Sequence, residues 1–238
     1  LAVWMPLYRP LCEAIYAACF ALFGFNPAPL EIFGWLLLVA NVVAAYRMLR
    51  AVLGSRWAAL FGVAVTLTHG ALGELYISTG TLFDRLVFLF IAMGVATYAK
   101  LRSARQQLRI RDTVLLWLLC VLAMNSKESG VLLPVLLGLS ELCFVRERSL
   151  GARLKAVGPT FALLAVTAVV FVFGRVYRTP VLLQTAGYHV DPNIGTWWQH
   201  TAHYVGLLLY RGDALIAALA LTWSARLGTH LFVRVAGH

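Results

Sequence analysis

Residues 82–100 read LFDRLVFLFIAMGVATYAK, and this stretch decides the fold class. Between Arg85 and Lys100 it holds fourteen consecutive residues without a charge. A helix needs about 20 mostly apolar residues to cross the hydrocarbon core of a bilayer. The stretch has nearly that length, and its charges stand only at its two ends. It is therefore predicted to be a membrane-spanning α-helix.

The composition of the whole chain supports the same interpretation. Of its 238 residues, 61% are hydrophobic and 13% are charged, and the mean hydropathy is +0.80. A typical soluble domain has about 45–50% apolar and about 25% charged residues. One soluble core of this size could not bury the excess apolar surface. The predicted fold class is all-α, a polytopic transmembrane helical bundle with interfacial helices on its outer face.

Six or seven segments have the composition of spans, some of them only marginally. The segments are 30–49, 57–76, 82–100, 113–126, 129–145 and 156–176, with a partial seventh at 214–223 that extends backward through 204–210. The predicted organisation is an outer loop with an interfacial helix over 1–29, a core of about six helices over 30–176, an outer loop over 177–203, and a partial last span and tail over 204–238.

The distribution of basic residues predicts how these spans are oriented. Of the 20 Lys and Arg residues, twelve lie in three alternate connections, near 47–56, 100–111 and 146–155. Cytoplasmic loops carry an excess of Lys and Arg, so these connections are predicted to be cytoplasmic. The chain is predicted to be an integral protein of the bacterial inner membrane, or of the endoplasmic reticulum if it is eukaryotic.

Neither nucleic-acid binding nor a metal site is predicted. The net charge is +10, but the cations fall in short clusters between apolar runs rather than on one continuous face. His200 and His203 are three residues apart, and Asp191 is the only candidate third ligand. The cysteines form no C-x-x-C pair and are interpreted as small apolar side chains: Cys12, Cys19, Cys120 and Cys143.

Ionisable residues at membrane depth are candidate functional residues, because placing a charge there is costly. Most of the candidates lie on the predicted outer side. They are Arg9, His69, Glu74, Asp84, Arg85, Lys127 and Glu128. For Glu74 and Asp84 a structural role at a helix end is an open alternative, because charges near span ends cost little and a helix N-terminus favours Asp.

Lys127 gives the most direct indication of a ligand. Ser126 is predicted to be the N-cap of a helix that begins with Lys127 and Glu128. A Lys at a helix N-terminus opposes the helix dipole, whereas an anion is favoured there. A bound phosphate would offset the unfavourable placement, so the segment is predicted to bind phosphate.

Four landmarks in order resemble the C-type polytopic membrane glycosyltransferases, and in particular the protein O-mannosyltransferase-like and tetratricopeptide-linked mannosyltransferases. The landmarks are Tyr8-Arg9-Pro10-Leu11 with Leu22-Phe23-Gly24-Phe25-Asn26-Pro27, then His69 to Glu74, then Asp84, then Ser126-Lys127-Glu128 with Leu132-Leu133-Pro134. Gly70 stands where the family usually has Pro. The resemblance covers about residues 8–145.

The resemblance implies transfer of a sugar from a polyprenyl-phosphate donor to an acceptor at the outer or lumenal face. It implies that the donor phosphate binds Arg9, Arg85 and Lys127, supported by His69, Asp84 and Glu128. The outer loop would contact the acceptor through Tyr188, His189, Asp191 and Trp197. Membrane lipid is an expected partner. Whether a divalent cation serves as cofactor, and whether the chain has a protein partner in a membrane complex, are left open by the sequence.

The catalytic acidic residue is the main departure from the family pattern. In the family it lies on the first outer loop, before the Arg-Pro landmark, so it is expected upstream of Leu1, with Glu74 as a fallback. An alternative is a non-catalytic, shortened membrane subunit of the same fold that packs in a larger complex or binds lipid. A transporter is disfavoured, because no paired halves with broken spans are found.

Overall fold

The computed structural model describes residues 9–68, 78–104, 107–144 and 150–178, together with 195 and 198–199. Every regular element in these ranges is helical, which confirms the predicted all-α class. Seven α-helices follow in order: α1 Pro10–Phe23, α2 Ala28–Leu53, α3 Arg56–Thr68, α4 Leu82–Ala104, α5 Ile110–Ser126, α6 Leu132–Phe144 and α7 Leu150–Arg178. Short 3-10 turns occupy Thr79–Thr81 and Glu128–Val131.

Three of these helices are long and apolar enough to cross a membrane. They are α2 with 26 residues, α4 with 23 residues and the 20-residue part Lys155–Gly174 of α7, and they match the predicted spans 30–49, 82–100 and 156–176. The other four helices have 13 to 17 residues. The rest of the predicted span 57–76 and the partial seventh span lie outside the described residues. The total of six or seven spans therefore stays a prediction.

Large apolar side chains cover the outside of the long helices. On α2, Leu36 and Val39 are 64% and 62% exposed, and on α7 Val169 and Phe173 are 65% and 59% exposed. Such surface is unfavourable in water but matches the hydrocarbon core of a bilayer. This exposure, together with the span lengths, identifies an integral membrane bundle.

Helices α2 and α4 pack side by side and run in the same direction. Near their starts, Gly34 of α2 faces Arg85 of α4, since a Cβ on Gly34 would lie 2.6 Å from Arg85 Nη1. Near their ends, Arg47 of α2 and Lys100 of α4 line one groove. Because the two helices are parallel, their starts lie together at one end of the pair and their last turns lie together at the other. Charged residues are present at both ends.

A buried charged cluster joins α4 to α6. Glu141 Oε2 accepts hydrogen bonds from Tyr98 Oη at 2.6 Å and from Arg102 Nε at 2.8 Å, and Glu141 Oε1 accepts one from Arg102 Nη2 at 2.6 Å. The Arg102 and Glu141 side chains are only 4% and 6% exposed. Two-pronged Arg–carboxylate pairing is strong and directional. These three residues, the Glu141 cluster, hold α4 in register with α6.

Candidate functional site

The structure corrects the prediction for residues 126–128. Ser126 is the last residue of α5, and its Oγ donates to the Leu122 carbonyl at 2.8 Å. The backbone N–H of Lys127 donates to the Ala123 carbonyl at 3.1 Å, so Lys127 is the C-cap of α5. The prediction that Ser126 is an N-cap is wrong. A cation at a helix C-terminus is favoured by the dipole, so the dipole argument for a phosphate at Lys127 is also wrong.

A close backbone contact fixes the turn that follows Lys127. A Cβ on Gly130 would lie 2.3 Å from the carbonyl carbon of Ala123, which only glycine avoids. The backbone N–H of Gly130 donates to the Lys127 carbonyl at 2.9 Å. Because the turn folds back onto α5, Lys127 and Glu128 project beside the start of α4.

Four charged side chains from three separate parts of the chain meet at Phe83. Lys127 Nζ forms an ion pair with Asp84 Oδ1, and Arg9 Nη2 pairs with Glu128 Oε1 at 3.1 Å. Arg9 Cζ lies 3.9 Å and Lys127 Nζ 5.1 Å from the centre of the Phe83 ring. The ring attracts both cations through its quadrupole. These five residues are called the Phe83 cluster.

The ion pairs of the Phe83 cluster remain accessible to solvent or ligand. The Arg9 and Glu128 side chains are 13% and 38% exposed, and those of Lys127 and Asp84 are 25% and 29% exposed. Partly exposed pairs of this kind contribute at most about 1 kcal/mol each. An anionic ligand could therefore compete with Asp84 or Glu128 for a cation at small cost.

Arg85 differs from the cations of the Phe83 cluster. The residue is 5% exposed, and its Nη2 donates to the Ser78 carbonyl at 3.1 Å. Within the described ranges no carboxylate pairs with it, and its Nε has no hydrogen-bond partner. The absent side chain of Gly34 makes the space for the guanidinium. A buried guanidinium with an unused donor has the charge and the hydrogen-bonding capacity to bind an anion.

An apolar groove begins at Arg85 and runs between α2, α3 and α4. Its volume is about 350 Å³. The walls are mainly aliphatic and aromatic, and the polar residues Asp84, Arg85 and Ser129 also line it. Asn41 lies among the wall residues with a buried side-chain oxygen that lacks a partner in the described part of the chain. The groove therefore combines apolar walls with a charged end, the arrangement that an amphiphile requires.

Helix α1 carries Arg9 to the Phe83 cluster. Pro10 is the first residue of the helix, as predicted, and Cys12 is buried against the end of α5. Cys12 Sγ donates to the Ser126 carbonyl at 3.5 Å. Burial raises the pKa of this thiol to about 11, so it stays protonated at neutral pH and serves as a packing residue.

The structure brings together five of the predicted site residues. Arg9, Asp84, Lys127 and Glu128 share the Phe83 cluster, and Arg85 shares the apolar groove with Asp84. The other predicted site residues lie outside the described part of the chain: His69, Glu74, Tyr188, His189, Asp191 and Trp197. The same holds for His200 and His203. The described residues contain no group of three His, Cys, Asp or Glu that could hold a metal ion.

The sequence reasoning missed Phe83, Gly34, Ser78 and Asn41. A glycine inside an apolar span signals a close approach, so Gly34 could have been singled out as a contact. An Asn in the middle of a span is likewise unusual enough to mark a polar contact. Phe83 carried no signal, because one aromatic residue in an apolar run is indistinguishable from a lipid-facing residue.

One protein family matches the part of the chain that contains these residues. The model of one family, dolichyl-phosphate-mannose-protein mannosyltransferase, matches residues 6–172. No curated protein and no solved structure matches the chain. The matched range covers more than half of the 238 residues and contains both the Phe83 cluster and the apolar groove. On this match, the chain belongs to the dolichyl-phosphate-mannose-protein mannosyltransferase family.

Proposed function

We propose that the chain is a membrane glycosyltransferase that transfers a sugar from a polyprenyl-phosphate donor to an acceptor at the outer or lumenal face. The observation that carries the proposal is Arg85, a buried guanidinium without a carboxylate partner in the described residues, at the charged end of an apolar groove. A polyprenyl-phosphate sugar has the matching chemistry, an anionic phosphate between a sugar and a long apolar chain.

Arg85 would bind the phosphate and the groove would take the first part of the lipid chain. A guanidinium presents several donors in a plane; Arg85 donates one of them to the Ser78 carbonyl, and its Nε has no partner among the described residues. A charge-assisted contact of this kind contributes about 1.5–3 kcal/mol. The aliphatic walls contributed by α2, α3 and α4 supply the remaining affinity by burying apolar surface.

Lys127 and Arg9 would stabilise the phosphate as it leaves the sugar. Both are already held in place, Lys127 by Asp84 and Arg9 by Glu128. Pre-positioned cations act on the charge that develops on the leaving phosphate without further reorganisation. Asp84 and Glu128 are thus supporting residues that orient these cations.

The general base and the acceptor site are proposed to come from outside the described residues. Glu74 is the candidate general base within the chain. The loop with Tyr188, His189, Asp191 and Trp197 is the proposed acceptor contact, and His69 the remaining supporting residue. The positive-inside pattern supports the assignment of this side as the outer or lumenal one.

One observation favours a second candidate, a non-catalytic lipid-binding subunit of the same fold. The two cations and two carboxylates of the Phe83 cluster neutralise each other without a ligand. A subunit of this kind would still bind an amphiphile at Arg85 and the apolar groove. The two candidates differ in turnover and in the need for a stoichiometric protein partner.

The test is donor binding and transfer by the full chain in nanodiscs, with polyprenyl-phosphate mannose as the probe. Arg85→Ala should weaken binding about 10- to 100-fold, the loss of one charged hydrogen-bonding group. Arg111→Ala is the matched control, because Arg111 is 67% exposed and lies at the opposite end of α5 from Lys127. Donor binding by Arg85→Ala that equals wild type would overturn the phosphate assignment.

Transfer separates the two candidate functions. In an enzyme, Lys127→Ala should abolish sugar transfer while the protein still folds, and wild-type turnover in this variant would remove Lys127 from the mechanism. Wild-type chain that binds the donor, transfers no sugar and copurifies with a stoichiometric partner would support the subunit instead.

A further inference from the structure

A second groove lies at the ends of α2 and α4 that are remote from Arg85. It is open to the outside and its volume is about 610 Å³. Three cations and five small residues line it, and we call it the basic groove: Arg47, Arg50, Ala51, Ala96, Thr97, Ala99, Lys100 and Ser103. Small side chains on the floor let a ligand approach the helix backbones while the long cationic side chains surround it.

The described part of the chain does not neutralise the cations of the basic groove. Arg47, Arg50 and Lys100 are exposed, and no carboxylate in the described ranges pairs with them. Arg50 Nη1 donates to Tyr46 Oη at 3.3 Å, which orients one guanidinium. Helix dipoles favour single cations at the C-terminal ends of α2 and α4. The positive-inside rule accounts for cations on this side of the bundle, and an anionic ligand would relieve the repulsion among three like charges from two helices that share one groove.

An apolar stripe on α2 and one exposed apolar residue on α4 lead towards the groove. On α2, Leu36, Val39 and Val43 are 64%, 62% and 45% exposed, and the spacing of three and four residues continues to Arg47 and Arg50. On α4, Met93 is 42% exposed and precedes Lys100 by seven residues, two helical turns. An amphiphile can therefore lay an acyl chain along the apolar stripe of α2 and place its anionic head among the cations, which a free phosphate cannot do.

The position of the groove across the membrane suits a lipid headgroup. Arg85 and Lys100 are fifteen residues apart on one helix, or about 22 Å at 1.5 Å per residue. The hydrocarbon core is about 30 Å thick. With Arg85 at one boundary, the long side chains of Arg47, Arg50 and Lys100 extend to the opposite headgroup layer.

We propose that the basic groove binds the phosphate headgroup of an anionic phospholipid. The charge distribution predicts this end of the bundle to face the cytoplasm, where the leaflet is anionic and each nearby Lys or Arg adds about 1 kcal/mol to the attraction. The site is separate from the apolar groove at Arg85, so it holds whether or not the chain transfers sugar. A bound lipid here would bridge the ends of α2 and α4.

The test is lipid retention by the purified full chain, measured by native mass spectrometry after equilibration with mixed phosphatidylglycerol and phosphatidylcholine. Wild type should retain about one phosphatidylglycerol in preference to phosphatidylcholine. The triple variant Arg47→Ala, Arg50→Ala, Lys100→Ala should weaken that retention about 100-fold, since the three cations that contact the headgroup are lost. Retention equal to wild type in this variant would overturn the proposal.

A second triple variant controls for general electrostatics. Arg56→Ala, Arg111→Ala, Lys155→Ala removes the same charge from exposed residues that do not line the groove. It should keep retention within about threefold of wild type, because short-range contacts decide the site. An equal loss in both triple variants would show diffuse attraction and overturn the proposal.

Two further measurements test the shape of the groove and the nature of the ligand. Ala96→Leu leaves every charge in place but fills the floor, so it should lose retention while the protein still elutes as a single folded species. Unchanged retention in Ala96→Leu would overturn the role of the groove. Millimolar inorganic phosphate should leave the lipid bound; displacement of the lipid by phosphate would show that the headgroup anion alone is recognised.

Discussion

The two charged clusters at α4 differ in how completely they are enclosed. In the Glu141 cluster, the Arg102 and Glu141 side chains are 4% and 6% exposed, and the carboxylate accepts hydrogen bonds from Tyr98 Oη, Arg102 Nε and Arg102 Nη2. In the Phe83 cluster the paired side chains are 13% to 38% exposed, and the neighbouring Arg85 keeps a nitrogen without a partner in the described residues. The charges that join α4 to α6 are enclosed and paired, whereas the charges proposed to bind the donor are accessible or incompletely bonded.

The largest effect should come from breaking the enclosed cluster. Glu141→Ala leaves the Arg102 guanidinium buried without its carboxylate, so the free energy of unfolding should fall by about 3–5 kcal/mol. The measurement is unfolding by sodium dodecyl sulfate in mixed micelles. Glu31→Ala is the control, because Glu31 is exposed near the start of α2. Equal stability of the two variants would mean that the Glu141 cluster does not hold α4 against α6.

A smaller loss of stability should follow when the turn beneath the Phe83 cluster is crowded. Gly130→Ala places a Cβ 2.3 Å from the backbone of Ala123, which cannot move aside as a side chain could. The expected cost is about 1–3 kcal/mol, and donor binding should weaken because Lys127 and Glu128 shift. Gly151→Ala, where no atom lies within 4 Å, is the matched control. Wild-type stability of Gly130→Ala contradicts the tight turn.

Crowding Arg85 should affect binding more than stability. Gly34→Ala brings a Cβ to 2.6 Å from Arg85 Nη1, the end of a flexible side chain that can move. The expected change in unfolding free energy is about 1 kcal/mol, the size of a strained rotamer. Polyprenyl-phosphate mannose binding in nanodiscs should fall about tenfold, because the guanidinium leaves its position. Wild-type binding in Gly34→Ala, together with weakened binding in Arg85→Ala, would mean that the position of Arg85 is adaptable.

The smallest effect on stability should come from the exposed ion pair of the Phe83 cluster. Lys127→Ala removes the partner of Asp84, but both side chains are about one quarter exposed, so the loss should stay below about 1 kcal/mol. The same variant should lose sugar transfer. A loss as large as that of Glu141→Ala would erase the difference between the two clusters and assign Lys127 to packing.

Part of the site could be predicted from sequence because it depends on local order. Asp84 and Arg85 open an apolar run, and that position alone marks them as charges at a span boundary. Lys127 was predicted as a site residue because it was placed at a helix N-terminus. That placement is wrong, since α5 ends at Ser126 and Lys127 is its C-cap. The Ser126 hydroxyl donates back to the Leu122 carbonyl, and Ser126 thereby extends α5. A serine can make this bond or an N-cap bond, so the residue type alone does not predict which one forms.

The sequence by itself determined that the chain is a helical membrane protein and where its longest spans lie. Length and hydropathy of a continuous segment decide insertion into a bilayer, and both can be measured along the chain. Only the tertiary structure decided which charges pair. Lys127 meets Asp84 across 43 positions and Arg9 meets Glu128 across 119. Contacts over such separations depend on how helices pack, so the enclosed Glu141 cluster and the accessible Phe83 cluster could not be told apart before the bundle was known.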